Sequence, residues 1–233
     1  MEFNWFDHIF AILILVIIPV MSVISQKMSP ELIESLPPKK HLFYSNGLML
    51  FIGALLVITS WNISKKPWYA LGVDWIQPDP LVWILSVAIL LIYSGDLLYG
   101  YINKSYFQSR MDEMQHLMPL TWDEFKHYIF LAFSAGICEE VVFRGFIVTY
   151  ISYYAMELPY GTWVAIIIPA LVFSLSHMYQ GWLAVLKIFI ISMLFGGIFL
   201  VSGSLIVVIL IHVFIDIISG LVGVFSSAAA TDD

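Results

Sequence analysis

Cys138-Glu139-Glu140-Val141-Val142-Phe143-Arg144-Gly145 is the stretch that decides how this chain is read, because it sets three ionisable groups inside a segment otherwise apolar enough for a bilayer. A charge at bilayer depth costs at least about 2.5 kcal/mol on insertion scales, so it usually has a partner and a task. Adjacent residues on a helix point about 100° apart, whereas residues four apart share a face. Glu140 therefore stacks on Arg144, and Glu139 does not. The pair neutralises a buried charge and fixes the helix, which leaves Glu139 as a carboxylate aimed elsewhere and a candidate general base. Ala135 and Gly136, one turn earlier, are small enough to admit a neighbouring helix or a substrate backbone. Cys138 diverges from Glu139 and has no polar residue one turn away, so it reads as a small buried hydrophobe and not as a nucleophile.

Outward from this stretch the chain stays apolar. Of its 233 residues, 61% are hydrophobic and 12% charged, whereas a soluble domain is roughly half apolar. The fold class expected is an all-α, polytopic transmembrane helix bundle, each span needing about 20 apolar residues. The runs lie at 6–24, 43–61, 81–99, the helix through the opening stretch, 163–178, 182–201 and 205–225, giving seven spans, or eight if Phe146 to Ala155 forms a separate element. Thr121 followed by Glu124 has the spacing of a capping box and starts the helix that carries the motif. Residues 1–120 read as amino-terminal membrane helices with a juxtamembrane loop, 121–225 as the core holding the ionisable motifs, and 226–233 as a disordered tail, all in one membrane domain.

The first apolar run has Glu2 and Asp7 ahead of it and no small-residue cleavage site, so it reads as a retained span and not a signal peptide. Asp7 and His8 are expected at the interface, Asp96 at the interface or against a polar interior, and Lys187 is expected to snorkel from a span end. Basic residues fall at Lys27, Lys39 and Lys40, at Lys65 and Lys66, and at Lys104, Arg110 and Lys126, a weak bias toward an outside amino terminus. The net charge of -7 and the lack of any basic run argue against a nucleic-acid partner. The partner expected from these features is the lipid bilayer, in a multi-pass protein of the cell membrane.

Two further motifs lie in later spans: Phe173-Ser174-Leu175-Ser176-His177, and His212-Val213-Phe214-Ile215-Asp216, in which the histidine and the aspartate share a helical face. A base-like glutamate and two histidines on three helices can meet only inside the bundle, and such a meeting is able to activate water. Ser134, Ser174 and Ser176 lack a G-x-S-x-G elbow, which argues against a serine mechanism. Chains of Asp, Glu and His also build proton relays in transporters, but no paired, symmetric broken helices accompany them here.

In this order, Glu139-Glu140-x-x-x-Arg144, Phe173-x-x-x-His177 and His212-x-x-x-Asp216 resemble the CPBP family of intramembrane proteases, which groups type II CAAX prenyl endopeptidases with bacteriocin-processing and immunity proteins. The resemblance spans roughly Thr121 to Val224, and Leu71-Gly72-Val73 adds a weaker likeness. It implies an intramembrane catalytic cavity in which a peptide bond of a membrane-delivered, possibly lipidated, substrate is hydrolysed. By motif, Glu139 and His177 would activate the water, and His212 and Asp216 would stabilise the oxyanion or orient what does, with Glu140, Arg144 and Phe173 in support. Asp216 stands where prenyl proteases carry asparagine, and an ionised aspartate would repel an oxyanion, so it would orient His212 or, if protonated, donate a hydrogen bond. No cofactor is required on this reading. Zinc is the compatible alternative, with Glu139, His177 and His212 as its ligands, although no His-Glu-x-x-His is present. A non-proteolytic immunity or scaffold protein of the same fold is the alternative function, and a proton-coupled transporter the third.

Overall fold

The computed structural model describes residues 1–24, 36–76 and 79–231, with side chains described to residue 227. All regular elements among them are helical. α1 runs Trp5–Ile24, α2 Lys39–Ile63, α3 Pro80–Ile102 and α4 Lys104–Met114; α5 covers 122–155, α6 Gly161–Ser176, α7 Trp182–Ser202 and α8 Ile206–Thr231. Five of these, α1, α2, α3, α7 and α8, are both long and apolar enough to cross a membrane, and α6 is a shorter apolar helix. A backbone in hydrocarbon must satisfy its own hydrogen bonds, which is why such runs become helices. The chain is accordingly an integral membrane protein.

α5 positions the site. Thr121 caps it by accepting the Glu124 amide at 3.2 Å, but the reciprocal half of the expected capping box is displaced: Glu124 accepts instead from the Leu120 amide, 2.8 Å away, and from Lys39, 3.2 Å away. After Glu140 the helix widens into a π-helical segment, Val141–Val148, and then returns to α geometry over Thr149–Ala155. Phe146 to Ala155 is thus a continuation of α5 and not the separate element that would have made an eighth span. π segments often mark functional sites, and here the wide turn carries Arg144.

Small residues set the approach distances. A Cβ on Gly136 would lie 2.9 Å from the Val213 amide nitrogen and 3.1 Å from its Cα, so α8 rests directly on the α5 backbone. Of the two occupants considered for this position, it is the neighbouring helix that uses it. A Cβ on Gly145 would meet the Leu71 carbonyl at 2.9 Å. The short turn Trp68–Leu71 therefore presses against α5, and Gly72 leaves it with φ +84° and accepts the Leu205 amide at 3.0 Å, tying this turn to the start of α8.

The amino-terminal charges correct two expectations. Asp7 is buried at 1% exposure, not interfacial. Its carboxylate closes the α1 capping box at the Asn4 amide, accepts from Ser60 at 2.7 Å and pairs with Lys66 at 2.6 Å. Lys66 is equally enclosed, 5.3 Å from each of the Phe3 and Trp61 rings, so it belongs to the interior and not to the basic-loop tally. Lys27, another member of that tally, lies outside the described residues. The last helix also differs from expectation, running to Thr231 through most of the stretch read as a disordered tail, in keeping with the helix propensity of its three alanines.

Candidate active site

Glu140 is the hub. It has no solvent exposure, and its Oε1 accepts from Arg144 Nη1 at 2.8 Å and from His212 Nδ1 at 2.7 Å. Arg144 donates its other arm to Ser192 Oγ at 2.8 Å and lies between the Phe173 and Phe195 rings, at 4.8 and 5.1 Å. The i,i+4 pair read from the sequence is present, and a third helix, α7, completes it through Ser192 and Phe195. Placing a guanidinium between aromatic faces and giving it directed acceptors is how a buried cation is made tolerable.

The histidines have defined ring orientations. Because a carboxylate only accepts, the hydrogen bond from Nδ1 to Glu140 fixes the His212 tautomer with a proton on Nδ1. Nε2 then faces two carboxylates, Glu139 at 3.8 Å and Asp216 at 3.7 Å. The partner that orients His212 is therefore Glu140 across the helix interface, and not Asp216 one turn along α8 as the sequence suggested. Asp216 stays beyond hydrogen-bond distance of the ring, at 3.7 Å.

His177 follows the last residue of α6, where the helix ends and the chain turns toward the Met178–Gln180 turn. Its Nδ1 donates to the Phe173 carbonyl at 2.8 Å, which again leaves Nε2 free to accept. The Phe173 ring sits 4.6 Å from the His177 ring and 6.4 Å from that of His212, so Phe173 spaces the two histidines while it stacks on Arg144. Phe195 lies against the other face of the group, its ring 5.9 Å from that of His212.

His177, His212 and Asp216 line one cavity of ≈ 200 Å³, together with Phe173, Ser192 and Phe195. Glu139 touches this group through His212 but does not itself line that cavity; its side chain is 15% exposed. The structure therefore brings all four expected catalytic residues into one neighbourhood, with Glu140, Arg144 and Phe173 behind them. Three donors from His, Cys, Asp and Glu do not converge as a metal-ligand set among the described residues. Of the zinc ligands considered from the sequence, Glu139, His177 and His212, the last donates Nδ1 to Glu140, which leaves Nε2 as the one His212 nitrogen open to a ligand.

A second polar group on the cavity wall was not legible as part of the site. Asp96 on α3 accepts from Lys187 at 2.7 Å on both oxygens and from Tyr106 at 2.7 Å, and Lys187 lies equally close to the Tyr106 hydroxyl. Lys187 does not snorkel away, because α3 supplies it with a carboxylate at its own depth. Tyr106, on α4, has its phenol pushed up to about 12 by burial and by Asp96, so it stays a donor. Lys187 of α7 and Arg110 of α4 thus line the same cavity as the histidines.

The matched family agrees with this geometry. A family model described as type II CAAX prenyl endopeptidase Rce1-like matches residues 121–218, which hold Glu139, Glu140, Arg144, His177, His212 and Asp216. No curated protein and no solved structure matches the chain. With three motifs in order and the match spanning all of them, residues 121–218 are similar to this prenyl endopeptidase family, in line with the resemblance to CPBP proteases read from the motifs.

Proposed function

We propose that the protein is an intramembrane endopeptidase that hydrolyses a peptide bond in a membrane-delivered peptide or protein. The observation that carries the reading is the set of two histidines with free Nε2 atoms, held by Phe173 and Glu140, on one cavity within a region matched by a protease family. Glu139 and His177 take the proton of the attacking water, general-base work for which a carboxylate and a neutral imidazole are suited. As the water oxygen adds to the carbonyl carbon, the C=O π bond opens and its electrons settle on oxygen. His212, when both ring nitrogens are protonated, donates Nε2–H to that oxyanion, and Glu140 holds the ring still by its Nδ1–H. The proton held by the base then passes to the departing amide nitrogen as the C–N bond breaks. Asp216 balances the imidazolium at 3.7 Å. No step is routed through a metal.

On this reading α5 and α6 also cross the bilayer, which with the five long apolar helices makes seven spans, and the cell membrane is the location. Peptidomic comparison of cells expressing the wild-type chain or Glu139→Ala tests both activity and substrate. The wild type should generate membrane-protein fragments that the variant does not; identical peptide profiles would contradict the proposal.

A further inference from the structure

Arg110 has a buried cationic donor left over at the cavity. It sits on α4, it lines both the ≈ 200 Å³ cavity with His177 and His212 and a second of ≈ 220 Å³ that shares Asp96, Gln180 and Asp216 with it, and its Nη1 is buried with no partner. Among the described residues it has no ion pair. The neighbouring carboxylates do not serve it. Asp96 accepts three hydrogen bonds from Lys187 and Tyr106 instead, and Glu113 packs its carboxylate over Gly181. A guanidinium arm buried without an acceptor costs the desolvation of its charge-bearing donor, and its planar fork matches a carboxylate in bidentate fashion. The same cavity thus carries the two histidines with Asp216 and a cation with an unpartnered donor.

We propose that Arg110 is a specificity-determining residue: it binds a carboxylate of the substrate peptide, so that an acidic group is anchored in the cavity whose histidines hold the bond to be cut. This rests on the endopeptidase reading for the second half of the statement only. The acid can be a chain terminus or a Glu side chain, which present the same chemistry. Arg110 lies outside residues 121–218, so the preference is a property of this chain's amino-terminal half and not of the matched region.

The test uses the full chain carrying Glu139→Gln, in detergent, and a short fluorescein-labelled apolar peptide made as free acid, as carboxamide, and as carboxamide with one internal glutamate. Anisotropy should show the free acid, the glutamate peptide or both binding at least about tenfold more tightly than the plain carboxamide, the scale of one charge-assisted hydrogen bond. Adding Arg110→Gln should erase that difference and leave carboxamide binding unchanged; which acid gains shows whether the group is terminal or side-chain. Equal binding of all three peptides overturns the proposal, as does an Arg110→Gln effect that weakens all three alike or that follows anionic lipid content instead of the peptide's charge. If the acid preference holds while the wild type cleaves no peptide, the subsite stands and the endopeptidase reading falls.

Discussion

Replacing Arg144 by methionine keeps an unbranched apolar stem and removes the cation that Glu140 needs. In the folded protein Glu140 has no exposure, its Oε1 is shared by Arg144 and His212, and its Oε2 has no partner within hydrogen-bond distance. The variant therefore leaves a buried carboxylate with His212 as its one donor. Removing one member of a buried ion pair costs about 3–5 kcal/mol, and for a domain of this size each kcal/mol lowers the melting temperature by about 2–4 °C. We expect a loss of roughly 6–20 °C. The chain offers a reporter that needs no substrate, because Cys138 is its single cysteine and is 4% exposed. A thiol-reactive fluorogenic dye thus stays dark until the helices around α5 part. The second arm of the experiment separates charge from packing. Glu140→Gln with Arg144→Met removes both charges and keeps an acceptor for His212 Nδ1, so it should recover about half or more of the lost interval. An Arg144→Met melting curve within about 2 °C of wild type, less than the smallest shift expected here, would refute the account of Glu140 as a buried hub. So would a double variant less stable than the single one.

Other consequences follow from the same packing. Gly136→Ala puts a methyl group about half an ångström inside ordinary contact with the Val213 backbone; overpacking of this kind costs about 1–3 kcal/mol. Because Val213 adjoins His212, cleavage should fall by about 10- to 100-fold, and wild-type cleavage by a well-folded Gly136→Ala protein would contradict the close approach of α5 and α8. Asp7→Asn should lower the Cys138-reported melting temperature through the unpaired Lys66, by about 3 kcal/mol or more for a charge left this deep; an unchanged melt would place the Asp7 and Lys66 pair in contact with water. Chelators should leave cleavage unaffected, and a loss of activity restored by added zinc would show a ligand set that the described residues do not form. Tyr106→Phe removes the α4 donor to Asp96 and should weaken substrate affinity more than turnover, read as a rise in KM with little change in kcat; the reverse pattern would separate α4 from binding.

The helices, the Glu140 and Arg144 pair and the neighbourhood of Glu139, His177, His212 and Asp216 could be read in the sequence because each depends on short-range periodicity or on a residue type that hydrocarbon tolerates poorly. What could not be read depends on which helices touch. Asp216 looked like the orienting partner of His212 because i,i+4 spacing is visible in one helix, whereas Glu140 reaches His212 from another across 72 residues of sequence. Lys187 looked like a snorkelling lysine for the same reason, since its carboxylate is on α3. Asp7 and Lys66 looked like interface and loop charges because burial of a terminus under the α1 and α2 contact leaves no local trace. The π-helical widening at Val141–Val148 is likewise invisible in an unbroken apolar run. Asp96 and Arg110 carry no motif, and only the cavity makes them neighbours of the histidines.

The central claim is that Glu139 and His177 activate the water while Glu140 and Arg144 hold the frame. Its most direct test is cleavage of a substrate in detergent by purified wild-type, Glu139→Gln and His177→Gln proteins, each first shown by the Cys138 melt to be folded. The account predicts that both variants melt close to wild type and that neither cleaves above background. Folded variants that cleave at the wild-type rate would contradict it.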